Sequence, residues 1–175
     1  MTNSTLSLKI PEGVSVTTQG SVVTVSGPKG SLTKDFAHSG LKITKTEDEI
    51  VLTAPGKGKR SKAMLGTIAS HIKNMFKGVT EGHRYTMKVI YAHFPITVKV
   101  AGKEVHIENF MGERSKRVAK IVGNVKITVS GDELTLEGID KEEVGQTAAN
   151  IHLATHVKKM DPRVFQDGIY LVERR

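Results

Sequence analysis

Apolar and polar positions alternate at Val23 and Val25, at Leu41 and Ile43, and at Ile50 and Leu52, the two-residue period of a half-buried strand. Between them stand "SGPKG" (26–30) and "TEDE" (46–49), tight-turn sequences, so this region reads as an antiparallel meander. From Lys59 to Lys77 the period changes: Leu65, Ile68, Ile72, Met75 or Phe76, and Val79 recur three and four apart, as on one helix face. That helix is expected to close at "KGVTEG", with Gly78 in a left-handed conformation. The second half repeats the order. Strands are predicted at Ile96–Val100, Val105–Glu108, Ser115–Ile121, Val125–Val129 and Leu134–Glu137, followed by a second helix. Asp140 is its expected N-cap, Glu142 and Glu143 suit its positive end, and Val144, Ala148, Ile151 and Thr155 share one face.

The two halves also share sequence. "LKITKTEDEIVLTA" (41–54) aligns without a gap to "VKITVSGDELTLEG" (125–138), and Lys42, Ile43, Thr44, Asp48, Glu49 and Leu52 recur at an offset of 84. Each copy precedes an amphipathic helix and each half then reaches a similar tetrapeptide, "VTEG" (79–82) and "FQDG" (165–168). The combined order points to an internal duplication. The expected fold is therefore α+β, two tandem similar domains at 1–84 and 85–175, each a mostly antiparallel sheet packed on one face by a helix. Within them, Val125, Ile127, Val129, Leu134 and Leu136 should face one helix, as Leu41, Ile43, Ile50 and Leu52 face the other. The apolar junction "HRYTMKVIYAHFP" (83–95) reads as a short ordered connection, itself a candidate strand.

Charge narrows the partner. The chain of 175 residues has 26 Lys and Arg against 18 Asp and Glu, a net charge of +8. Such a balance favours a polyanion, nucleic acid above all. The first 88 residues hold 13 basic and 6 acidic groups (+7), the remainder 13 and 12 (+1). Without cysteine there is no disulfide, thiolate zinc site or cysteine nucleophile, and nothing in the N-terminal sequence resembles a secretory leader or a membrane span. An intracellular chain without a membrane anchor is expected.

Candidate chemistry is sparse. "APGKGKRSK" (54–62) lacks the spacing of a phosphate-binding Walker loop, because Gly58-Lys59 is followed by Arg60 and Gly56 stands too close. Its Lys57, Lys59, Arg60 and Lys62 oppose the helix dipole, so a phosphate-backbone contact is preferred to a role in helix stability. His152 and His156 have i, i+4 spacing but no further ligand, and the paired acids lie where solvent would reach them. No catalytic residue, metal, cofactor or small-molecule substrate is expected. "NFMGERSKRVAKI" (109–121) carries Arg114, Lys116, Arg117 and Lys120 after a Gly112 turn. As a strand it would put Lys116 and Lys120 on one face and Arg117 on the other. Lys158 and Lys159 follow the second helix, and the tail adds Arg163, Arg174 and Arg175 beside Phe165 and Tyr170, which either stack on bases or fix the tail.

At "GNVKITVSGDELTLEGIDKEEVGQTAANIHLATHV" and "DPRVFQDGIYLVE" the chain resembles the large-subunit ribosomal protein six family in its archaeal form. "LKIPEGVSVTTQGSVVTVSGPKGSLTKDF" and "NMFKGVTEG" extend that similarity over essentially the whole chain. The resemblance implies a non-enzymatic structural constituent of the large ribosomal subunit, with large-subunit (23S) rRNA and neighbouring ribosomal proteins as partners. It further implies binding near the sarcin–ricin loop and translation-factor site, and a cytoplasmic, ribosomal location. It assigns rRNA attachment mainly to the second domain, here Arg114–Lys120 and Lys158–Arg163; the charge of the loop Lys57–Lys62 makes it a second candidate contact, with rRNA or a neighbouring ribosomal protein. A non-ribosomal RNA-binding or ribosome-assembly module is the alternative.

Overall fold

A computed structural model describes residues 4–56 and 58–175. Lys57, one of the candidate contacts, lies outside the described residues. The chain divides into two compact units, Met1–Gly82 and His83–Arg175.

In the first unit β1 (Ser4–Lys9) precedes a meander of β2 (Ser15–Gln19), β3 (Val22–Gly27) and β4 (Gly30–Asp35). A single 3-10 turn at Ala37–Ser39 leads to the hairpin β5 (Lys42–Lys45) and β6 (Glu49–Ala54), and α1 (Lys59–Thr80) follows. In the second, β7 (His83–Ile90) precedes the meander β8 (Thr97–Ala101), β9 (Glu104–Glu108) and β10 (Arg117–Lys120). The hairpin β11 (Lys126–Ser130) and β12 (Glu133–Gly138), α2 (Lys141–Ala154) and β13 (Gly168–Arg174) complete it. All pairings are antiparallel. The units are thus tandem α+β structures, each with its strands divided between two sheets. The single meander expected over 22–54 is split, because the 3-10 turn separates β4 from β5 and β1 takes the place beside β6.

The shared sequence is a shared register. Ile43 pairs with Leu52 and Lys42 with Thr53; Ile127 pairs with Leu136 and Lys126 with Glu137, each at the same offset of 84. Ile50 and Leu52 are fully buried, as are Leu134 and Leu136. They pack in separate cores, the first with Leu65, Ile68, Ile72 and Met75 of α1, the second with Val144, Ala148 and Ile151 of α2. Fully burying each such aliphatic side chain contributes roughly 1.5–3 kcal/mol. Val129, expected inside, is 36% exposed because it lies at the turn end of the edge strand β11.

Two expectations along the chain change. Helix α1 runs through Gly78 and ends where the amides of Glu81 and Gly82 both donate to Lys77 O (2.8 and 3.0 Å), with Gly82 at φ 81°. Gly78 stays helical because the last turn is held by the turn between β3 and β4: Lys29 N donates to Val79 O, and Lys29 Nζ to Glu81 O. The approach is close enough that a Cβ on Gly27 would meet Val79 Cγ2 at 2.8 Å. The apolar junction is a strand, as its pattern allowed, but no mere connection: β7 is an interior strand of the sheet β11-β12-β7-β13.

Candidate nucleic-acid interface

Seven residues, 114–120, decide how the second unit presents its charge. The turn that feeds them is sharply bent, with Asn109, Met111 and Gly112 at positive φ (59°, 51° and 78°). Phe110 anchors it, almost fully buried, while Asn109 Nδ2 donates to Pro95 O at 3.1 Å. From there β10 alternates: Arg117 and Ala119 turn inward, Val118 and Lys120 outward, with Lys116 on the outward parity before the strand begins.

Arg117 is therefore the exception among the predicted cations. Its Nε and Nη2 donate to the two carboxylate oxygens of Glu113 (2.9 and 2.6 Å), and Nη1 donates to the carbonyls of Ala154 (2.9 Å) and His156 (3.2 Å). The guanidinium carbon stands 4.2 Å from the centre of the Phe110 ring. These bonds tie β10 to the C-terminal end of α2, where a cation also meets the negative pole of the dipole. The same pairing holds the Glu113 carboxyl below the ordinary glutamate range, the Arg117 hydrogen bond outweighing desolvation. Arg117 is a fold residue first, with most of its donors directed into the protein.

The other cations stand outside. Lys116 and Lys120 are exposed to either side of Val118, and Lys116 Nζ stands 3.4 Å from His106 Nδ1. Arg114, Lys158 and Lys159 are exposed without an acidic partner among the described residues. Lys159 holds φ 62°, a bend in the backbone just after α2. Arg163 curls onto Asp161 through its backbone amide, Nε and Nη2, and that side-chain pairing is the main cause of the lowered Asp161 and raised Arg163 pKa values.

Arg174 and Arg175 do not join this group. Arg174 ends β13 and Arg175 follows it, exchanging backbone hydrogen bonds with Arg84 (2.8 and 2.9 Å) while its Nε donates to Glu173. Arg174 lies 5.9 Å from the centre of the Tyr85 ring. Tyr170 packs on His152 and donates to Gln166 O, and β13 pairs along β7, so the tail is fixed to its own unit; Phe165 remains exposed. In the first unit Lys59, Arg60 and Lys62 form an exposed first turn of α1. Its N-cap, Gly58, supplies no side-chain hydrogen bond, and that turn contains no acid.

Sequence reasoning missed a cleft of about 380 Å³ between β10 and the end of α2, lined by Arg117, Val118, Leu153, Ala154 and Lys158. Its signals were faint: Val118 is an apolar residue on the cationic parity of a strand, and Leu153 one off the buried face of a helix. His152, considered as a metal ligand, instead has Nδ1 2.9 Å from Ile169 O, and no group of three metal-ligating side chains occurs among the described residues. The chemistry offered is fixed positive charge beside a small apolar opening, and no described helix is long and apolar enough to cross a membrane.

The family model described as "Ribosomal protein L6" matches the chain twice, over residues 10–82 and 94–168, once in each unit. "Large ribosomal subunit protein uL6" of Methanosarcina mazei is 52% identical over 167 residues, covering 95% of each chain. The proteins of the same name from Staphylothermus marinus and Methanocella arvoryzae are 52% and 49% identical, each covering 95% of this chain and 92% and 95% of their own. With both repeats matched and archaeal relatives aligned over nearly their full length, the chain belongs to the ribosomal protein L6 family.

Proposed function

We propose that this chain is a structural constituent of the large ribosomal subunit that binds large-subunit rRNA and performs no chemical step. The observation that carries the reading is the near-complete alignment with relatives bearing the name of that subunit. The exposed cations Arg114, Lys116, Lys120, Lys158 and Lys159 are the principal phosphate contacts, with Lys59, Arg60 and Lys62 on the first unit as a second set. Neighbouring ribosomal proteins complete its partners, its location is the ribosome in the cytoplasm, and its site lies near the sarcin–ricin loop and the translation-factor site. Individual phosphate contacts are modest and salt-sensitive; fixed placement on rigid strands and turns supplies the selectivity.

Two experiments test this. The chain should sediment with mature large subunits after a high-salt wash; complete release into the free pool would overturn the structural role and favour an assembly factor. Charge reversal at Arg114, Lys116 and Lys120 should weaken binding to a large-subunit rRNA fragment at least tenfold without loss of folding. Arg117 is left untouched in that variant because its reversal would oppose Glu113 and break the tie to α2.

A further inference from the structure

The cleft beside β10 has properties that phosphate binding does not require. Its walls, Val118 and Leu153, are 44% and 64% exposed, two apolar residues open to solvent amid cations. Its backbone also offers hydrogen-bonding groups at the strand edge. Ile121 N donates to Lys103 O, which fixes the odd-numbered residues of β10 as those bonding to β9; the even-numbered ones direct N–H and C=O to the open edge. Lys120 O there accepts from Asn150 Nδ2 at 2.9 Å, and Val122 N donates to Thr147 Oγ1 at 3.0 Å. Val118, next in the series, directs a donor and an acceptor toward the cleft, where α2 supplies no partner.

We infer that this cleft receives one unpaired nucleobase of the bound RNA, held between Val118 and Leu153 and read along its edge by the Val118 backbone. The inference rests on the RNA-binding reading above. Single-stranded loops and bulges are where RNA displays bases that can be turned out, and such bases stack on aromatic or guanidinium planes and hydrogen-bond through their edges. The cleft is of the right order for one base, with volume to spare for its sugar. Arg117, backed by Phe110 and immobilised by four hydrogen bonds, lines it as a preorganised planar wall. Lys116, Lys120 and Lys158 stand where the flanking phosphates would pass. The occupant is assigned as RNA and not an acidic protein segment because a carboxylate-bearing chain would use the cations but leave the base-sized apolar opening unexplained.

The test uses the full chain and large-subunit rRNA extracted from Methanosarcina mazei. A photocrosslinking residue placed at Leu153 should give one dominant reverse-transcription stop, at a nucleotide unpaired in the rRNA. Leu153→Ser should weaken binding about tenfold, the order expected for losing one buried apolar contact, with the salt slope unchanged. Lys116→Gln, Lys120→Gln and Lys158→Gln combined should instead flatten that slope by about two to three. If Leu153→Ser binds as wild type, or the crosslinks are absent, scattered over paired nucleotides or directed to protein, the base-binding inference is overturned. Loss of affinity in the triple lysine variant would meanwhile leave the RNA-binding reading intact. A triple variant that binds as wild type, slope included, overturns both.

Discussion

Two helices in corresponding places begin in opposite ways. In α2, Asp140 caps the first turn by accepting from Glu142 N at 2.9 Å, and Glu142 and Glu143 favour the dipole. In α1, Gly58 offers no side-chain cap and the first turn carries Lys59, Arg60 and Lys62. The long α1, 22 residues, can tolerate this because its buried face from Leu65 to Val79 dominates its stability. The shorter α2, 14 residues, has less apolar contact to spend. Core packing thus keeps the duplicated framework, while the helix starts are left open to other uses. The sheets differ as well: β1 and β7 occupy corresponding places, but only β7 has a further strand, β13, on its outer side.

The comparison breaks most visibly at its cores. Leu52→Ala and its counterpart Leu136→Ala should each cost about 3 kcal/mol by urea unfolding, as expected for a fully buried leucine. Amide exchange should quicken mainly in the unit that carries the change; equal acceleration in both units would show that the two cores are not independent. Gly27→Ala should cost about 2 kcal/mol, because the new methyl group meets both the side chain and the carbonyl of Val79.

Next in size is the tie that only the second unit has. Arg117→Met should cost about 2 kcal/mol near neutral pH by the same unfolding measurement, since it strands Glu113 and two helix-end carbonyls. The pH dependence follows from the lowered Glu113 pKa. With the folded value below the unfolded one, the contribution is fully present above the ordinary glutamate value and is lost as pH falls through the lowered one. Titrating stability downward from about pH 5 should show this loss in the wild type and a flatter profile in Arg117→Met.

The smallest effects concern the helix starts. Asp140→Ala should cost about 1 kcal/mol, whereas Gly58→Asp should stabilise by roughly 0.5 kcal/mol through the cap and the dipole. The same Gly58→Asp should weaken rRNA binding severalfold, an opposite sign that separates service to the helix from service to the RNA. Unchanged RNA affinity in that variant would remove α1 from the interface.

Much of this fold was legible because its signals are local. The alternation at Ile50 and Leu52 and at Leu134 and Leu136, the helical spacing from Leu65 to Val79, and the Asp140 cap each depend on residues within a few positions of one another. Gly78 misled because a glycine late in a helix resembles a stop; only the packing of Gly27 and Lys29 against the last turn carries the helix past it. The candidate contacts were legible as charge but not as orientation. Parity set Arg117 apart from Lys116 and Lys120, yet nothing local says that Glu113, Phe110 and the end of α2 would occupy it.

By itself the sequence determined the two-module plan, the absence of cysteine chemistry, the excess of positive charge and the family, for these reside in composition, short-range periodicity and motif. Tertiary structure alone decided that β7 is an interior strand and that Arg117 serves the fold. It also decided that Val118, Leu153 and Lys158 meet around a cleft. Separation is the cause: those outcomes join groups roughly 35 to 90 residues apart through packing and hydrogen bonds, which no periodicity along the chain encodes.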